Sequence, residues 1–372
     1  MTAPLRILQV NSRFAGGGTD NQTLELTAGL RDLGVQVRLS IPEGTRWLPL
    51  ARELGVPVHA FPARSSLMQA AIRQWRSVIR AHRIQIIHVH QGRDYWPAIM
   101  AARLAACGTR IVITRHLMTR PRRFTRWFLL SMADVVAVSN AVLDVLKQEL
   151  HGPLSRLHLI YGGIDTAKFH PVRTPAALDF RRQQGWEPDH VVFGVVGAFD
   201  LPRGKGQLEL LDAACRLRAE FPHARYAIIG QGSMESLLRE RITTLGLEQA
   251  VRIVPFTEKI ATVLSALDVL THPAVGAEAL GLVIWEGMSC GKPVIASRLH
   301  GIPEAFVEGE HGFLVPPGDA GALAEAMRAL LTDPVRCRRF GEAGRRHIIR
   351  HFSREILARQ VNELYCGLLT NQ

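Results

Sequence analysis

Two glutamates separated by seven residues, Glu278 and Glu286, form the most informative chemical pair in the sequence. The apolar pattern around them predicts a strand over residues 268–271, a loop of small residues, a helix over about 280–290 and a buried strand after Gly291. The first N–H groups of a helix that follows a parallel strand are unpaired and favour an anion such as phosphate. A carboxylate repels phosphate, so the glutamates are suited to accept hydrogen bonds from hydroxyl groups. A nucleotide sugar, with phosphates between two sets of hydroxyls, has this chemistry.

Taken singly, either glutamate is better explained as an ordinary polar position. Together they resemble the E-x7-E signature of the retaining glycosyltransferases of family 4. The tail of that signature, E-A-M-x-x-G-x-P-V, is written here as Glu286-Gly287-Met288-Ser289-Cys290-Gly291-Lys292-Pro293-Val294. The resemblance implies that Glu278 is among the catalytic residues and that Glu286 binds the ribose of the donor. It also implies donor contacts from Ala279, Leu280 and Gly281.

A basic segment follows the apolar strand that is predicted over residues 191–197. Residues 198–206 resemble the family's G-R-x-x-x-x-K-G, with Lys205 at the position of the lysine. Ala198 stands where the arginine is expected, and Arg203 is the candidate to supply that charge. Basic side chains at such a turn would neutralise a leaving diphosphate. Without the neighbouring glutamates, solvated loop charges would be the simpler interpretation.

Two glycine-containing turns also resemble elements of the family. Gly16-Gly17-Gly18 follows the first predicted strand, where consecutive glycines let the backbone approach a ligand, and Gly230-Gln231-Gly232 is similar to the family's G-x-G turn. From glycines alone, loops without a ligand are the simpler interpretation, and the resemblance favours a function. We therefore assign Gly17 and Gly232 to the donor. Arg13, beside the first turn, is assigned to the acceptor or cleft.

Histidines stand at the ends of two neighbouring predicted strands. His88 and His90 close the strand over residues 84–90, and His116 closes the strand over residues 110–116. Ligands bind at the carboxyl ends of the strands in open α/β sheets. We expect His88 and His90 to face opposite sides of their sheet and select His90 as an acceptor or cleft residue. His116 resembles the family's histidine that contacts the transferred sugar.

Two arginine-rich stretches suggest either solvated faces or a surface for an anionic membrane, and the two interpretations have near-equal weight. The first stretch lies on one face of a predicted helix, and the second also contains aromatic residues. Their members are Arg73, Arg76, Arg80 and Arg83 in the first, and Arg115, Arg120, Arg122, Arg123 and Arg126 in the second. Each basic side chain near anionic lipid contributes about 1 kcal/mol. A peripheral membrane face is therefore one of the two interpretations that the sequence leaves open.

The composition limits the partners and the location that we expect for this protein. The 372 residues are 47% hydrophobic and carry a net charge of +12, which predicts attraction to something acidic. Aromatic residues make up 6%, and no nucleic-acid-binding motif occurs, so nucleic acid is not expected as a partner. No apolar run approaches a membrane span and no signal peptide is recognised, so we expect a cytoplasmic protein. The five cysteines are scattered and are expected to be buried small hydrophobic residues.

Strands alternate with helices along the whole sequence, which predicts parallel sheets covered on both faces. The resemblance implies an α/β GT-B fold, with two Rossmann-like domains whose parallel sheets face each other across a cleft. We place an acceptor-binding domain over residues 1–170, a nucleotide-sugar-binding domain over 171–352 and a terminal helix over 353–372 that crosses back to the first domain. No D-x-D occurs, so no metal is expected beside the diphosphate.

The expected function is retaining transfer of a hexosyl unit from a nucleotide diphosphate sugar to a glycan or lipid-linked acceptor. Lipopolysaccharide or another cell-surface polysaccharide is the expected product, and no cofactor is required. Neither glutamate is assigned as a nucleophile, because Glu286 is needed at the ribose. Two alternatives stay open: a sugar-nucleotide epimerase of similar fold, and a catalytically silent binding subunit, which Ala198 suggests. A dehydrogenase is disfavoured, because neither half begins with a strand that leads into G-x-G-x-x-G.

Overall fold

The computed structural model describes residues 4–14, 16–61, 67–171, 174–200 and 204–370, and the chain divides into two compact units. The first, here called the N-terminal unit, combines Met1–Gly163 with Phe352–Gln372. The second, here called the C-terminal unit, is Ile164–His351. No helix of the described residues has the length and apolar character that crossing a membrane requires.

The N-terminal unit is an α/β unit with a parallel sheet. Its strands are β1 (Arg6–Val10), β2 (Gln36–Pro42), β3 (Val58–Phe61), β4 (Ile86–Val89), β5 (Arg110–Arg115), β6 (Asp134–Ala137) and β7 (Leu157–Leu159). Its helices are α1 (Gly18–Asp32), α2 (Leu48–Glu53), α3 (Leu67–His82), α4 (Tyr95–Ala105), α5 (Arg123–Met132), α6 (Asn140–Glu149) and, at the end of the chain, α14 (Arg354–Thr370). Over the described residues the strand order is β3-β2-β1-β4-β5-β6-β7, with every pairing parallel.

The C-terminal unit repeats this architecture. Its strands are β8 (Val191–Val196), β9 (Ala224–Gly230), β10 (Val251–Pro255), β11 (Val269–His272), β12 (Val294–Ser297) and β13 (Gly312–Val315). Its helices are α7 (Pro175–Gln183), α8 (Gln207–Leu217), α9 (Glu235–Thr244), α10 (Ile260–Ala266), α11 (Leu282–Ser289), α12 (Ala320–Leu331) and α13 (Pro334–His351). Where the structure describes the chain, the strands pair in parallel in the order β10-β9-β8-β11-β12-β13.

The strand order fixes where ligands can bind in each unit. Central strands such as β4 and β12 are buried along their whole length, as parallel strands covered on both faces must be. The order reverses direction between β1 and β4 in one unit and between β8 and β11 in the other. Open α/β sheets bind ligands outside the carboxyl ends of the strands at this switch point. The predicted pair of Rossmann-like units is confirmed.

The terminal helix α14 completes the core of the N-terminal unit. Leu357, Val361 and Tyr365 are buried in the same apolar cluster as residues of β1, α1 and β2. A Cβ at Gly29 of α1 would lie 2.7 Å from the Cβ of Ala358, so glycine permits the close approach of α1 and α14. The last helix of the chain is therefore an integral part of the first unit.

Local predictions succeed and fail for identifiable reasons. Serine is a preferred residue immediately before a helix, so the sequence predicts a cap at Ser139, and the Ser139 hydroxyl does accept a hydrogen bond from the Val142 N–H at 3.2 Å. The helix predicted over residues 280–290 is shorter, because the left-handed Gly281 starts α11 at the next residue. The prediction that all five cysteines are buried is wrong, since Cys107 and Cys366 are exposed and only Cys290 is fully buried among the described residues.

Candidate active site

The loops after β8 and β11 bring two predicted site residues of the C-terminal unit into contact. The Lys205 ammonium donates a hydrogen bond to Glu278 Oε2 at 2.5 Å. His272, the last residue of β11, places its Nε2 at 3.5 Å from the same oxygen. The backbone carbonyl of Glu278 accepts from the Gly301 N–H at 3.3 Å, which anchors the loop. A lysine, a histidine and a glutamate thus meet at the switch point of this sheet.

The carboxyl group of Glu278 is held ionised by its neighbours. Burial alone would raise its pKa, but His272 and the Lys205 ammonium outweigh this effect and lower the pKa to about 2. The side chain is also shielded, since only 16% of it is exposed. Near neutral pH the site therefore contains a fixed carboxylate whose charge is balanced by an ammonium group.

Glu286 lies in a different environment, inside α11. The residue is 8% exposed, and burial raises its pKa to about 7, with Lys168 acting in the opposite direction. Near neutral pH this carboxyl group is partly protonated. A partly protonated carboxyl group can both donate a hydrogen bond to a hydroxyl and accept one from it, which is compatible with the predicted contact to a ribose.

The start of α11 is shaped by glycine. Gly281 has φ +78°, a left-handed conformation that L-residues rarely adopt, and a Cβ there would lie 3.0 Å from the Ile284 side chain and 3.5 Å from His272 Nε2. Leu280 is buried and Ala279 is half-buried. The residue that precedes α11 therefore lies close to His272, which contacts Glu278.

The turn around Gly232 has a structural explanation of its own. A Cβ at Gly232 would lie 2.5 Å from the backbone of Phe199, and one at Gly230 would lie 2.2 Å from the carbonyl oxygen of Gly197. Glycine is needed here so that two loops can cross, and a donor contact by Gly232 stays a prediction. Ala198 is exposed, and Arg203, the residue proposed to replace the family arginine, lies outside the described residues.

In the N-terminal unit, the histidines form one hydrogen-bonded cluster. The His90 ring contacts Gln9 Oε1 at 2.7 Å through Nε2 and His116 Nε2 at 3.3 Å through Nδ1. His88 Nδ1 lies 2.5 Å from the Tyr365 hydroxyl, and its ring stacks on that of His90 with centroids 4.6 Å apart. The expectation that His88 and His90 face opposite sides of the sheet is wrong, because residues two apart on a strand share a face.

Burial keeps these imidazoles neutral. It lowers the pKa of His88 to about 3, with His116 adding to the effect, and lowers the pKa of His116 to about 3, with Arg115 adding. The pKa of His90 is likewise well below its ordinary value, first through burial and then through the other two rings. At neutral pH the cluster offers neutral hydrogen-bond donors and acceptors and carries no charge.

The glycine loop after β1 is open around Gly17. This glycine has φ +146°, and a Cβ there would meet nothing within 4 Å, which leaves room for a ligand. The buried Asp20 holds the loop, because its carboxylate accepts from the Gly16 N–H at 2.7 Å and from the Asn11 side chain at 2.9 Å. Arg13 is exposed beside this loop.

Comparison with known proteins identifies the family. The model described as Glycosyl transferases group 1 matches residues 178–347, and the model described as Glycosyltransferase Family 4 matches residues 16–168. The chain belongs to the family 4, group 1 glycosyltransferases. The predicted family resemblance is confirmed.

Similar sequences and structures agree with this glycosyltransferase family. A phosphatidyl-myo-inositol mannosyltransferase of Mycobacterium leprae is 28% identical over 377 residues, which is 95% of this chain and 94% of the relative. A D-inositol 3-phosphate glycosyltransferase of Corynebacterium urealyticum is 32% identical over 265 residues, 68% of this chain and 62% of the relative. A solved glycosyltransferase from Rickettsia africae has a TM-score of 0.88 at 21% identity, over 99% of this chain and 100% of that one. Anabaena HepE in complex with UDP has a TM-score of 0.83 at 23% identity, over 98% and 100%.

Two residues of this glycosyltransferase were missed by sequence reasoning. His272 is 2% exposed and touches Glu278, yet neither ring nitrogen makes a well-aligned hydrogen bond to the described residues. Asp94 accepts from the Ser12 N–H at 2.9 Å and fixes the loop after β1. Burial raises the pKa of Asp94 to about 6, against the opposing bonds from Ser12 and the charge of Arg93. The rule that selected His90, a polar residue at a strand end, would also have found His272.

Proposed function

We propose that this glycosyltransferase moves a hexosyl unit, with retention of configuration, from a nucleoside diphosphate sugar to a glycan or lipid-linked acceptor. Synthesis of lipopolysaccharide or another cell-surface polysaccharide is the proposed setting. The observation that carries the proposal is the Lys205–Glu278 pair beside the first turn of α11, at the switch point of a parallel sheet. HepE, a chain of the same fold, has been crystallised with UDP-glucose, and a relative is named for mannosyl transfer to a phosphatidylinositol.

Each residue of the site has a defined role in this reaction. The Lys205 ammonium and the N–H groups that start α11 stabilise the negative charge that develops on the departing diphosphate. Glu278 holds the lysine in place and accepts hydrogen bonds from hydroxyls of the transferred sugar. Glu286 binds the ribose, and His116 is a proposed contact of the transferred sugar. We propose that no divalent cation is needed, since the sequence has no D-x-D.

Donor binding and turnover test this assignment. Calorimetric titration with a panel of nucleotide sugars should give binding that Glu286→Ala weakens and that Glu240→Ala, at an exposed position of α9, leaves intact. Incubation with membrane extract should release nucleoside diphosphate from the same donor. Release without extract would favour the epimerase, and binding without any release would favour a silent subunit. Loss of turnover with a chelator, restored by Mg²⁺, would contradict the metal-independent reaction.

The acceptor is proposed to be reached at an anionic membrane surface. Phe124, Trp127 and Phe128 on α5 are 58%, 58% and 44% exposed. Arg122 and Arg123, next to these aromatic residues, are also exposed. Two further arginines of the segment, Arg120 and Arg126, are instead paired with Glu149, at 3.1 Å in the case of Arg120. Aromatic residues flanked by basic ones suit the boundary between lipid head groups and acyl chains. In α3, by contrast, Trp75 is buried, and none of the exposed large hydrophobic side chains among the described residues belongs to this helix.

Vesicle sedimentation tests which of the two arginine-rich stretches binds an anionic membrane. The protein should pellet with vesicles containing anionic lipid and remain in solution with neutral vesicles, and high salt should release it. The double variant Arg122→Ala/Arg123→Ala should reduce the bound fraction by about tenfold or more, at about 1 kcal/mol per basic residue. The control Arg73→Ala/Arg83→Ala removes two exposed arginines near α3 and should have little effect. Equal binding to both vesicle types would refute the membrane face.

A further inference from the structure

A chain of hydrogen bonds connects the last helix of the protein to His116. It begins at Tyr365 on α14, whose hydroxyl lies 2.5 Å from His88 Nδ1 and 3.1 Å from Gln9 Nε2. It continues from Gln9 Oε1 to His90 Nε2 at 2.7 Å, and from His90 Nδ1 to His116 Nε2 at 3.3 Å. Tyr365, Gln9 and His88 are each 0% exposed, so water does not compete for these bonds.

With the Gln9 amide oriented as in the structure, the chemistry of each group gives the direction of each bond. The Gln9 amide nitrogen can only donate, so the Tyr365 oxygen accepts from it and the hydroxyl proton is given to His88 Nδ1. The Gln9 oxygen can only accept, so His90 carries its proton on Nε2. A neutral imidazole has one proton, which leaves His90 Nδ1 as an acceptor. The donor to that nitrogen must therefore be His116, with its proton on Nε2.

We propose that Tyr365 is a positioning residue that determines, through Gln9 and His90, which ring nitrogen of His116 carries the proton. With Nε2–H committed to His90, Nδ1 of His116 is the nitrogen that can accept a hydrogen bond from a sugar hydroxyl. The low pKa values of all three histidines support this arrangement, since only neutral rings have a defined tautomer. The contact to the sugar rests on the proposed function, whereas the position of the proton does not.

The Tyr365 hydroxyl links the orientation of the Gln9 amide to the tautomer of His88. If the Gln9 amide turned over, its oxygen would face Tyr365, its nitrogen would donate to His90, and His116 would have to become the acceptor. In the order that the structure has, the hydroxyl receives the Gln9 donor and gives its own proton to His88, whose Nε2 then donates to Thr114 Oγ1 at 2.7 Å. In the other order all of these bonds reverse together. Tyr365→Phe removes both bonds of the hydroxyl while it keeps the ring, so the orientation of the Gln9 amide is no longer coupled to His88.

Long-range proton–nitrogen NMR of the full chain with isotope-labelled histidine tests the proposal without any assay of activity. In the wild-type protein, His90 and His116, assigned by loss of their signals in His90→Asn and His116→Asn, should both be neutral with the proton on Nε2. In Tyr365→Phe, His116 should become a mixture of tautomers. Tyr226→Phe is the matched control, because the Tyr226 hydroxyl is buried without a hydrogen-bond partner among the described residues. Wild-type His116 with its proton on Nδ1, or charged, would overturn the proposal whether or not the variants fold.

Kinetics give a second readout that a merely structural role would not produce. Tyr365→Phe should lower kcat by about fivefold to tenfold, the value of about one hydrogen bond, with the KM for the donor unchanged. Tyr226→Phe should change neither. A shifted tautomer with unchanged kcat would overturn the link to turnover. A protein with the expected tautomers and no transferase activity would contradict the proposed function and leave the proton assignment standing.

Discussion

The two units have different electrostatic environments at the carboxyl ends of their parallel strands: the first is neutral and the second is ionised. At the carboxyl ends of the strands of the N-terminal unit, three histidines are kept neutral and hydrogen-bond to one another and to buried polar side chains. At the corresponding ends in the C-terminal unit, Lys205 and Glu278 form an ion pair at 2.5 Å. A neutral cluster suits the hydroxyls of a sugar, and an ammonium group that a carboxylate holds in place suits a diphosphate.

The difference shows how burial acts on titratable groups with and without a partner. A buried group without an opposite charge loses its own charge, as the low pKa values of His88 and His116 and the raised pKa of Glu286 show. Glu278 stays ionised only because Lys205 and His272 are beside it. Residue type therefore does not decide the charge of these sites, and the neighbours do.

The largest expected effect comes from removing the positive charge of the C-terminal unit. Lys205→Met should lower kcat by about 100- to 1,000-fold, because one preorganised group that stabilises the developing charge is lost. Release of nucleoside diphosphate at saturating donor measures this effect. Lys147→Met, at an exposed position of α6, is the control and should keep wild-type turnover. Wild-type turnover in Lys205→Met would contradict the proposed role of Lys205 in stabilising the departing diphosphate.

The second prediction uses the opposite responses of Glu286 and His88 to pH. The folded-state pKa of Glu286 is raised from 4.5 to about 7, so its contribution to stability is complete below pH 4.5 and is lost as the pH rises through about 7. We therefore compare the free energy of unfolding of Glu286→Gln with that of the wild type at each pH. The variant's advantage should be about 2 to 3 kcal/mol larger at about pH 8 than at about pH 5. Urea denaturation of both proteins at the two pH values measures this gain.

His88 in the N-terminal unit should show the reverse trend. The pKa of His88 is lowered from 6.5 to about 3, so its contribution to stability is complete above pH 6.5 and is lost as the pH falls towards about 3. Hydrogen exchange resolved by peptide, corrected for the intrinsic effect of pH, should report acid loosening first in β4 and α14. Unchanged exchange of β4 and α14 on acidification would contradict this prediction.

Part of this contrast can be predicted from sequence. The alternation of apolar strands with helices predicts the fold, and the spacing of Glu278 and Glu286 with the tail after them predicts the family. The position of Lys205 in a family motif places it near Glu278, as the structure has it. These features depend on local patterns, which a sequence carries directly.

The remainder depends on contacts between distant residues. Tyr365 and His88 are separated by 277 positions, and nothing in the periodicity of α14 identifies which of its buried residues meets a histidine. The raised pKa of Glu286 follows from burial, which the spacing of two glutamates does not reveal. The error at His88 and His90 is different in kind, because the strand period of two was available from the sequence and was misapplied.

The third prediction concerns the loops that support the charged site. Gly232→Ala should lower the free energy of unfolding by about 1 to 3 kcal/mol, because the added Cβ would lie 2.5 Å from the backbone of Phe199 and the loops would have to separate. Chemical denaturation measures the change. Gly367→Ala in α14, where a Cβ meets nothing within 4 Å, should instead stabilise the chain by about 0.5 to 1 kcal/mol. A neutral Gly232→Ala would leave a ligand contact as the better reason for that glycine.

The smallest expected effect concerns the helix caps, and it tests whether the electrostatic difference between the units extends beyond their sites. Ser139 caps α6 in the N-terminal unit, and Asp319 caps α12 in the C-terminal unit by accepting from the Ala322 N–H at 2.8 Å. Ser139→Ala and Asp319→Ala should each cost about 1 kcal/mol, with the charged cap adding a few tenths through the helix dipole. That addition should disappear at high salt. Equal costs under all conditions would show that the electrostatic contrast is confined to the sites.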